Sequence, residues 1–426
     1  MRILMLSQFY APLLGGEERY VQDLSHELAA RGHTVTVVTL WYPDLTDREE
    51  DNGVTVYRVR SSTQRASWLY TDPVRAHAPP APDPELLLSL RRIIARERPQ
   101  IVHAHNWILH SFLPLKRWSH AKLVVTLHDY SLSCATKKLV FHDKEPCTGP
   151  GFRKCLGCGA EHYGVGIGIS TVLANWGFGV IERRAVDMFI PVSTAVARRN
   201  NTPLAADRTK VLYAFLRDGI DEPQDGFDAY VDQLPTEPYI LFVGALASYK
   251  GVDVLIDAYR HLHEPPPLVL IGYETGEFPL ATTNFPPGVV IFRNWPHEAV
   301  LEAWRRCIIA SVPSVWEEPG AVVALEAMAM GKPVIVSNMG GLPELVGDAG
   351  FVVQPGDAEA LRQAIERLLS NSDLRARVGA AAAARSHLFR AKAVIPQFEA
   401  IYRQLLGEPA PGSHGGSQYE LPGSRE

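Results

Sequence analysis

SVPSVWEEPGAVVALEAMAMGKPVIVSNMGGLPELV, residues 311–346, is the stretch from which the rest of this 426-residue chain is best read. An apolar run ends at two acids, Glu317 and Glu318. Residues 321–330 then read as a helix in which Glu326 is the only polar side chain. Gly331 stops that helix, Lys332-Pro333 turns the chain, and residues 334–336 form a short buried strand. Gly340-Gly341 leads into a second helix start. A carboxylate in an otherwise apolar helix is costly unless something hydrogen-bonds or pairs with it. Glu326 therefore needs a partner. A ligand carrying hydroxyls is one candidate; the plainer one is water or an arginine at the rim of a packed helix.

Working outward, the length suits two or three domains. A hydrophobic content of 46% and a charged content of 21% describe a globular chain. The net charge of -5 argues against a nucleic-acid partner. The opening MRILMLSQFY reads as a first strand, too short and too soon polar for a signal peptide. No stretch reads as a membrane span. Five cysteines do not suggest a secreted disulfide scaffold. The expected location is the cytoplasm, with the inner membrane face as a place of peripheral contact.

From the N-terminus, residues 2–7 form a strand, Gly15-Gly16 opens a helix over 17–31, and 35–40 is the next strand. This is the start of a Rossmann-like unit, in which backbone N–H groups at a helix N-terminus can receive a phosphate. Strands are expected at 54–59, 101–104 and 122–127, with an irregular excursion over 61–84 and an arginine-rich helix at 84–98. His105 and Asn106 follow one strand and His128 and Asp129 another. Ligand groups gather at such carboxyl ends, although capping or core histidines are equally ordinary there. Cys134, Cys147, Cys155 and Cys158 make an insert over 134–158. Four thiolates can hold a structural zinc; disulfides or free thiols are the alternatives. Residues 164–181 are apolar and glycine-rich, read as a loop and helix packed inside the fold or near a lipid face. Residues 187–193 and 211–215 complete the strands of this half.

The acidic, proline-bearing stretch 216–238 reads as a linker. The alternation of strand and helix then restarts over 239–390, so two α/β domains with parallel sheets are expected, residues 1–215 and 239–390. A helix over 391–406 is expected to return to the first domain, and 407–426 to be a disordered tail. Two Gly-Gly turns facing across a cleft could hold a diphosphate, Lys250 could add a point charge, and Glu318 and Glu326 could accept polyol hydroxyls. Together these residues suit a sugar nucleotide.

The spacing from Glu318 to Glu326, within WEEPGAVVALEAMAMGKPVIVSNMGGLPELV, is followed by DAGFVVQPGDAEAL and preceded by VGALASYKGVDVLIDAY. With the N-terminal GGEERYVQDLSHELAARGHTVTVVT, these motifs resemble the family-4 retaining glycosyltransferases of the GT-B fold. The likeness extends to about residue 406, and the HDYSLSC start with its cysteine insert resembles a subgroup. The resemblance implies that Glu326 binds ribose hydroxyls, and that Glu318 contacts the donor sugar with backbone N–H groups near Ala321 and Val322. It implies that Lys250 neutralises the diphosphate, that Gly16 (beside Gly15) lets backbone approach the phosphate, and that His128 stands beside donor sugar and acceptor. It also implies a UDP- or GDP-linked donor, no catalytic metal, and a glycan, lipid-linked or small-molecule acceptor in the first domain, where His105, Asn106 and Asp129 are candidates. Ala245 stands where the family has an arginine; Arg293, Lys137 and Arg153 are candidates to replace it. That departure keeps open a catalytically weakened nucleotide-binding partner in a glycan-assembly complex. Arg58 to Arg65 and Arg91 to Arg98 offer cations to anionic lipid heads, or simply solvated faces.

Overall fold

The computed structural model describes residues 1–13, 15–66, 68, 78–142, 145–202, 207–223, 225–273 and 284–408. The first half comprises β1 (Arg2–Leu6), α1 (Gly16–Ala30), β2 (Thr34–Leu40), β3 (Arg48–Asp51), β4 (Val54–Val59), α2 (Ser62–Arg65), α3 (Pro84–Glu97), β5 (Ile101–Ala104), α4 (Leu109–Phe112), α5 (Lys116–Ser119) and β6 (Lys122–Leu127). A two-stranded hairpin follows, β7 (Val140–Phe141) with β8 (Glu145–Pro146), then α6 (Phe152–Tyr163), α7 (Val165–Ala185), β9 (Met188–Pro191) and α8 (Thr194–Arg199). The second half has α9 (Asp228–Val231), β10 (Ile240–Val243), α10 (Val252–Arg260), β11 (Leu268–Gly272), β12 (Val289–Arg293), α11 (His297–Arg306), β13 (Ile309–Val312), α12 (Val322–Ala329), β14 (Val334–Ser337), α13 (Leu342–Val346), β15 (Phe351–Val353), α14 (Ala358–Leu369) and α15 (Ser372–Ser386). Helix α16 (Ala391–Leu406) closes the described chain. Its first turn precedes Pro396, which sits inside the helix.

Two sheets carry the fold. The first runs β3-β4-β2-β1-β5-β6-β9, parallel except for β3. The second runs β12-β11-β10-β13-β14-β15 and is parallel throughout. Helices cover both faces, which is why β1, β10 and β13 are apolar without alternation. In the first sheet successive strands leave β1 toward β2 and return on its other side at β5. In the second they leave β10 toward β11 and return at β13. Each reversal opens a crevice beyond the carboxyl ends of the strands.

Several contacts tie the halves together. Tyr402 of α16 hydrogen-bonds His103 of β5 at 2.7 Å, and Glu399 meets His33 at 2.7 Å. The Glu344 carboxylate accepts from the backbone N–H of Thr194 (2.8 Å) and Ala195 (3.0 Å), capping the α8 N-terminus from the other half. Tyr130 donates to the Glu317 carbonyl at 3.0 Å, and Arg199 pairs with the Glu317 carboxylate at 2.6 Å.

Four expectations need correction. Residues 211–215 form no strand. This segment pairs with β9 through Lys210 N–H to Phe189 O and Leu212 N–H to Pro191 O, and Pro191 has no N–H to return. Residues 165–185 form one 21-residue helix rather than loop and helix. Arg58 does not face outward: it is buried and donates to the Ala11 carbonyl and to Glu49. Arg65 pairs with Glu85, whereas Arg91, Arg92 and Arg96 are exposed on α3. Finally, the four insert thiols do not form a zinc set. Cys134 faces Thr136 at 3.3 Å, Cys147 reaches Gly149 O at 3.5 Å, and Cys155 accepts from Gly151 N–H at 3.3 Å. Cys158 lies 3.9 Å from Val140 O. Each is turned to backbone or a hydroxyl of the insert, and among the described residues no group of three or more His, Cys, Asp or Glu could hold a metal. The tail from 409 onward lies outside the described residues, as do 67 and 69–77 of the 61–84 excursion.

Candidate active site

The loop after β10 and the loop after β13 meet at the crevice of the second sheet. Lys250 Nζ lies 2.7 and 3.0 Å from the two Glu318 carboxylate oxygens. Ser314 (3.1 Å) and the Trp316 indole N–H (2.9 Å) donate to the same carboxylate. Lys250 also stands 4.9 Å from the Trp316 ring centre. A cation that is both paired and stacked on an aromatic face is held in one place.

Gly340-Gly341 has a different task from the one expected. A Cβ on Gly340 would lie 2.1 Å from Glu318 O and 2.5 Å from Glu318 N. Gly341 N–H donates to Glu318 O at 2.7 Å. The pair grips the Glu318 backbone and does not line the large cavity between the sheets. These glycines are needed for close approach of two chain segments, so a diphosphate held from both sides by two Gly-Gly turns is not what this geometry offers.

That cavity measures about 630 Å³. Gly15, Gly16, Arg19 and Tyr20 of the first half line it, facing Asn294, Trp295, His297, Val322, Val323 and Glu326 of the second. Glu326 is buried, and its side-chain partners are a histidine and a tryptophan rather than an arginine. His297 Nε2 lies 2.6 Å from one oxygen and the Trp304 indole N–H 3.3 Å from the other. Both come from α11. Each carboxylate oxygen has a second lone pair, so a ligand hydroxyl can still be accepted. Helix α12 begins after Ala321 with no side-chain cap, and Val322 and Val323 of its first turn line the cavity.

Gly15 and Gly16 open α1 at the mouth of the first crevice. Glu18 already serves part of this N-terminus, its carboxylate accepting from Gly15 N–H at 2.8 Å. Glu17 accepts from Asn106 Nδ2 at 2.5 Å, and Asn106 in turn accepts from Gln8 N–H at 3.1 Å. Burial, then the Glu18 and Asp129 charges, push Glu17 up to about 8. Asp129 shapes its own loop, accepting from Ser131 N–H at 2.8 Å.

His105 and His128 are brought together as neighbours, Nδ1 to Nε2 at 3.0 Å, with stacked rings. His103 lies beside His105, ring centres 4.3 Å apart, and Tyr20 packs edge-on to His128 at 4.7 Å. Burial lowers all three imidazoles, His103 and His128 to about 3, so they are neutral near pH 7. Tyr20, which packs on His128, also lines the cavity.

None of the three candidates for the missing arginine lines the cavity. Ala245 is buried, Arg293 ends β12, Lys137 sits 4.3 Å over Trp107, and Arg153 is exposed on α6. The cations that do line it are Arg19 and Arg217. They flank Asp23, whose carboxyl burial pushes up and whose arginine neighbours pull back down. Arg19 follows Gly16 by three residues, one helical turn, and that spacing was the available signal. His297 and Trp304 gave no signal, because they act from a separate helix.

Comparison with known proteins agrees with this geometry. Residues 14–216 match the family described as Glycosyltransferase Family 4, and residues 231–385 match Glycosyl transferases group 1. An uncharacterised glycosyltransferase of Methanocaldococcus jannaschii is 27% identical over 393 residues, covering 87% of this chain and 90% of that protein. A glycogen synthase of Mycobacterium tuberculosis is 28% identical over 419 residues, covering 87% and 86%. Among solved structures, sucrose-phosphate synthase from Thermosynechococcus elongatus superposes with a TM-score of 0.72 at 20% identity, covering 95% of this chain and 99% of that one. Anabaena HepE in complex with UDP-glucose gives 0.65 at 18%, covering 95% and 99%. The protein is a glycosyltransferase of the GT-B fold, with a family 4 N-terminal half and a group 1 C-terminal half.

Proposed function

We propose that the protein is a retaining glycosyltransferase that moves a sugar from a UDP- or GDP-linked donor to an acceptor hydroxyl in polysaccharide, glycolipid or glycoconjugate synthesis. The observation that carries this reading is the cavity with Gly15 and Gly16 on one wall and Glu326 on the other; the Lys250–Glu318 pair, in the loops after the adjacent strands β10 and β13, is outside its lining. Glu326 takes the ribose hydroxyls, and His297 and Trp304 hold it in place. Gly16 allows backbone to approach the diphosphate, and Lys250 neutralises the charge that grows on it. Glu318 and the N–H groups near Ala321 and Val322 hold the donor sugar. His128 stands beside sugar and acceptor, and His105, Asn106 and Asp129 belong to the acceptor side.

In the transfer, the bond between the sugar's anomeric carbon and the phosphate oxygen breaks. A bond to the acceptor oxygen forms on the same face, and the acceptor proton passes to the departing phosphate. Stabilising the leaving diphosphate with fixed cations and helix N–H groups is then the main catalytic contribution. Arg19 supplies a second cation to the cleft, where the family's arginine is replaced by Ala245. The Anabaena neighbour was solved with UDP-glucose, which makes that the first donor to assay. Incubation with UDP- and GDP-sugars and candidate acceptors, reading nucleoside diphosphate release, tests the proposal. A thermal shift with UDP or GDP but no transfer would point to a weakened nucleotide-binding partner; saturation at ~100 times Kd adds about 2.7 kcal/mol.

A further inference from the structure

Helix α7 is built inside out. Asn175 and Glu182 on its inner face are buried, Glu182 lies 3.0 Å from His110, and Arg183 donates to the carbonyls of Leu132 and Asn200 at 3.1 Å. Val165, Ile169, Leu173 and Val180, spaced to share one face, and Ile181 beside them are instead 36% to 69% exposed. A surface helix of a water-surrounded protein shows the opposite arrangement. The stripe is about 24 Å long at ~1.5 Å per residue. By length and composition α7 could cross a membrane. Its inner bonds hold it on the protein instead. So does its contact with α6, where a Cβ on Gly168 would meet Gly159 O at 2.0 Å.

Cations and aromatic rings flank the stripe at its C-terminal end and near its middle. Lys116 binds the Ala185 carbonyl and pairs with Asp187 at 2.8 Å, which sets α5 against the end of α7. Arg184 is exposed on one side of that contact and Arg117 and Trp118 on the other, and Arg91 reaches over the Trp118 ring at 5.8 Å. Midway along α7 Phe152 stands against Trp176 at 5.5 Å, followed by exposed Arg153. Of the two acids on α6 and α7, Glu182 is buried and Glu161 is paired with His142. The chain as a whole carries -5, so this face is cationic against its background.

We propose that α6, α7 and the adjoining α5 surface form a docking face for a bilayer with anionic headgroups. Apolar side chains enter the headgroup boundary, the tryptophan sits at the interface, and the arginines meet lipid phosphates. Tyr163 donates to Ala135 O at 2.9 Å, so docking also sets the loop after Asp129 close to the bilayer.

The test is co-sedimentation of the full chain with phosphatidylcholine vesicles, with and without phosphatidylglycerol. Wild type is expected to pellet with the anionic vesicles and to be released by salt. Ile169→Ser/Leu173→Ser/Val180→Ser should stay in the supernatant with an unchanged melting temperature. Arg117→Gln/Arg184→Gln should weaken binding by roughly fivefold per charge removed. Wild type that ignores anionic vesicles, that binds neutral ones equally, or that binds no better than the serine variant overturns the proposal. A dimer in size exclusion that the serine variant dissolves, without vesicle binding, would assign the face to a second copy instead.

Discussion

Lys250 holds both carboxylate oxygens of Glu318, at 2.7 and 3.0 Å, across 68 positions of sequence. The two residues follow β10 and β13, the adjacent strands between which the order of the second sheet reverses. Neither loop alone makes a site. In the proposed function the pair keeps a cation and an acceptor poised until a donor arrives, when the phosphate engages the lysine and sugar hydroxyls engage the carboxylate.

Gly340 supports that pair from behind. Its φ of +57° and the 2.1 Å approach to Glu318 O leave no room for a side chain. Gly340→Ala should cost on the order of 1–3 kcal/mol of stability and lower transfer by moving Glu318. Thermal unfolding and kcat measure the two effects. A variant as stable and active as wild type would remove the glycine pair from the account.

Glu326 has two roles that one substitution separates. Glu326→Ala strands His297 and Trp304, costing about 1–3 kcal/mol, and removes the proposed ribose acceptor. Calorimetric titration should show UDP or GDP binding weakened about tenfold. An unchanged Kd with a lowered melting temperature would leave Glu326 a structural residue only.

His103 makes stability depend on acid. Burial lowers its folded value to about 3 from an ordinary 6.5, so the unfolded chain takes up a proton first as pH falls. Its stabilising effect is present above pH 6.5 and is lost on the way down to about 3, at up to ~1.4 kcal/mol per pH unit. Melting curves of His103→Asn should fall less steeply than wild type between pH 6.5 and 4. Parallel curves would contradict the buried neutral imidazole.

Glu17 works in the opposite direction. With its folded value raised to about 8 from 4.5, the folded protein holds a proton that the unfolded chain releases. Stability from this group is complete below pH 4.5 and is lost as pH rises through 8. Glu17→Gln mimics the protonated form. Its melting advantage over wild type should grow across that window and then level off; an advantage that does not vary with pH would sink this reading.

The βα alternation, the helix carrying Glu326 and the Gly15-Gly16 helix start were all legible, because each is a local pattern of period and turn residues. The partners were not. His297 and Trp304 reach Glu326 only because α11 packs on α12, and Gly340 meets Glu318 only because two loops cross. The apolar run at 164–181 suggested a loop and helix packed inside the fold or near a lipid face; residues 165–185 form one helix whose Val165, Ile169, Leu173, Val180 and Ile181 are exposed. The four cysteines suggested a ligand set, but their directions depend on the β7–β8 hairpin and on α6, which spacing does not reveal.

The central claim is tested most directly by nucleoside diphosphate release from UDP- and GDP-sugars with an acceptor panel, comparing wild type with Lys250→Ala. Removing one fixed charge from the leaving-group site should slow transfer by on the order of 10²–10³-fold, with the fold retained. The account predicts turnover by wild type with at least one donor and that loss in the variant. Equal rates for wild type and Lys250→Ala, or no binding and no release with any UDP- or GDP-sugar, would contradict it.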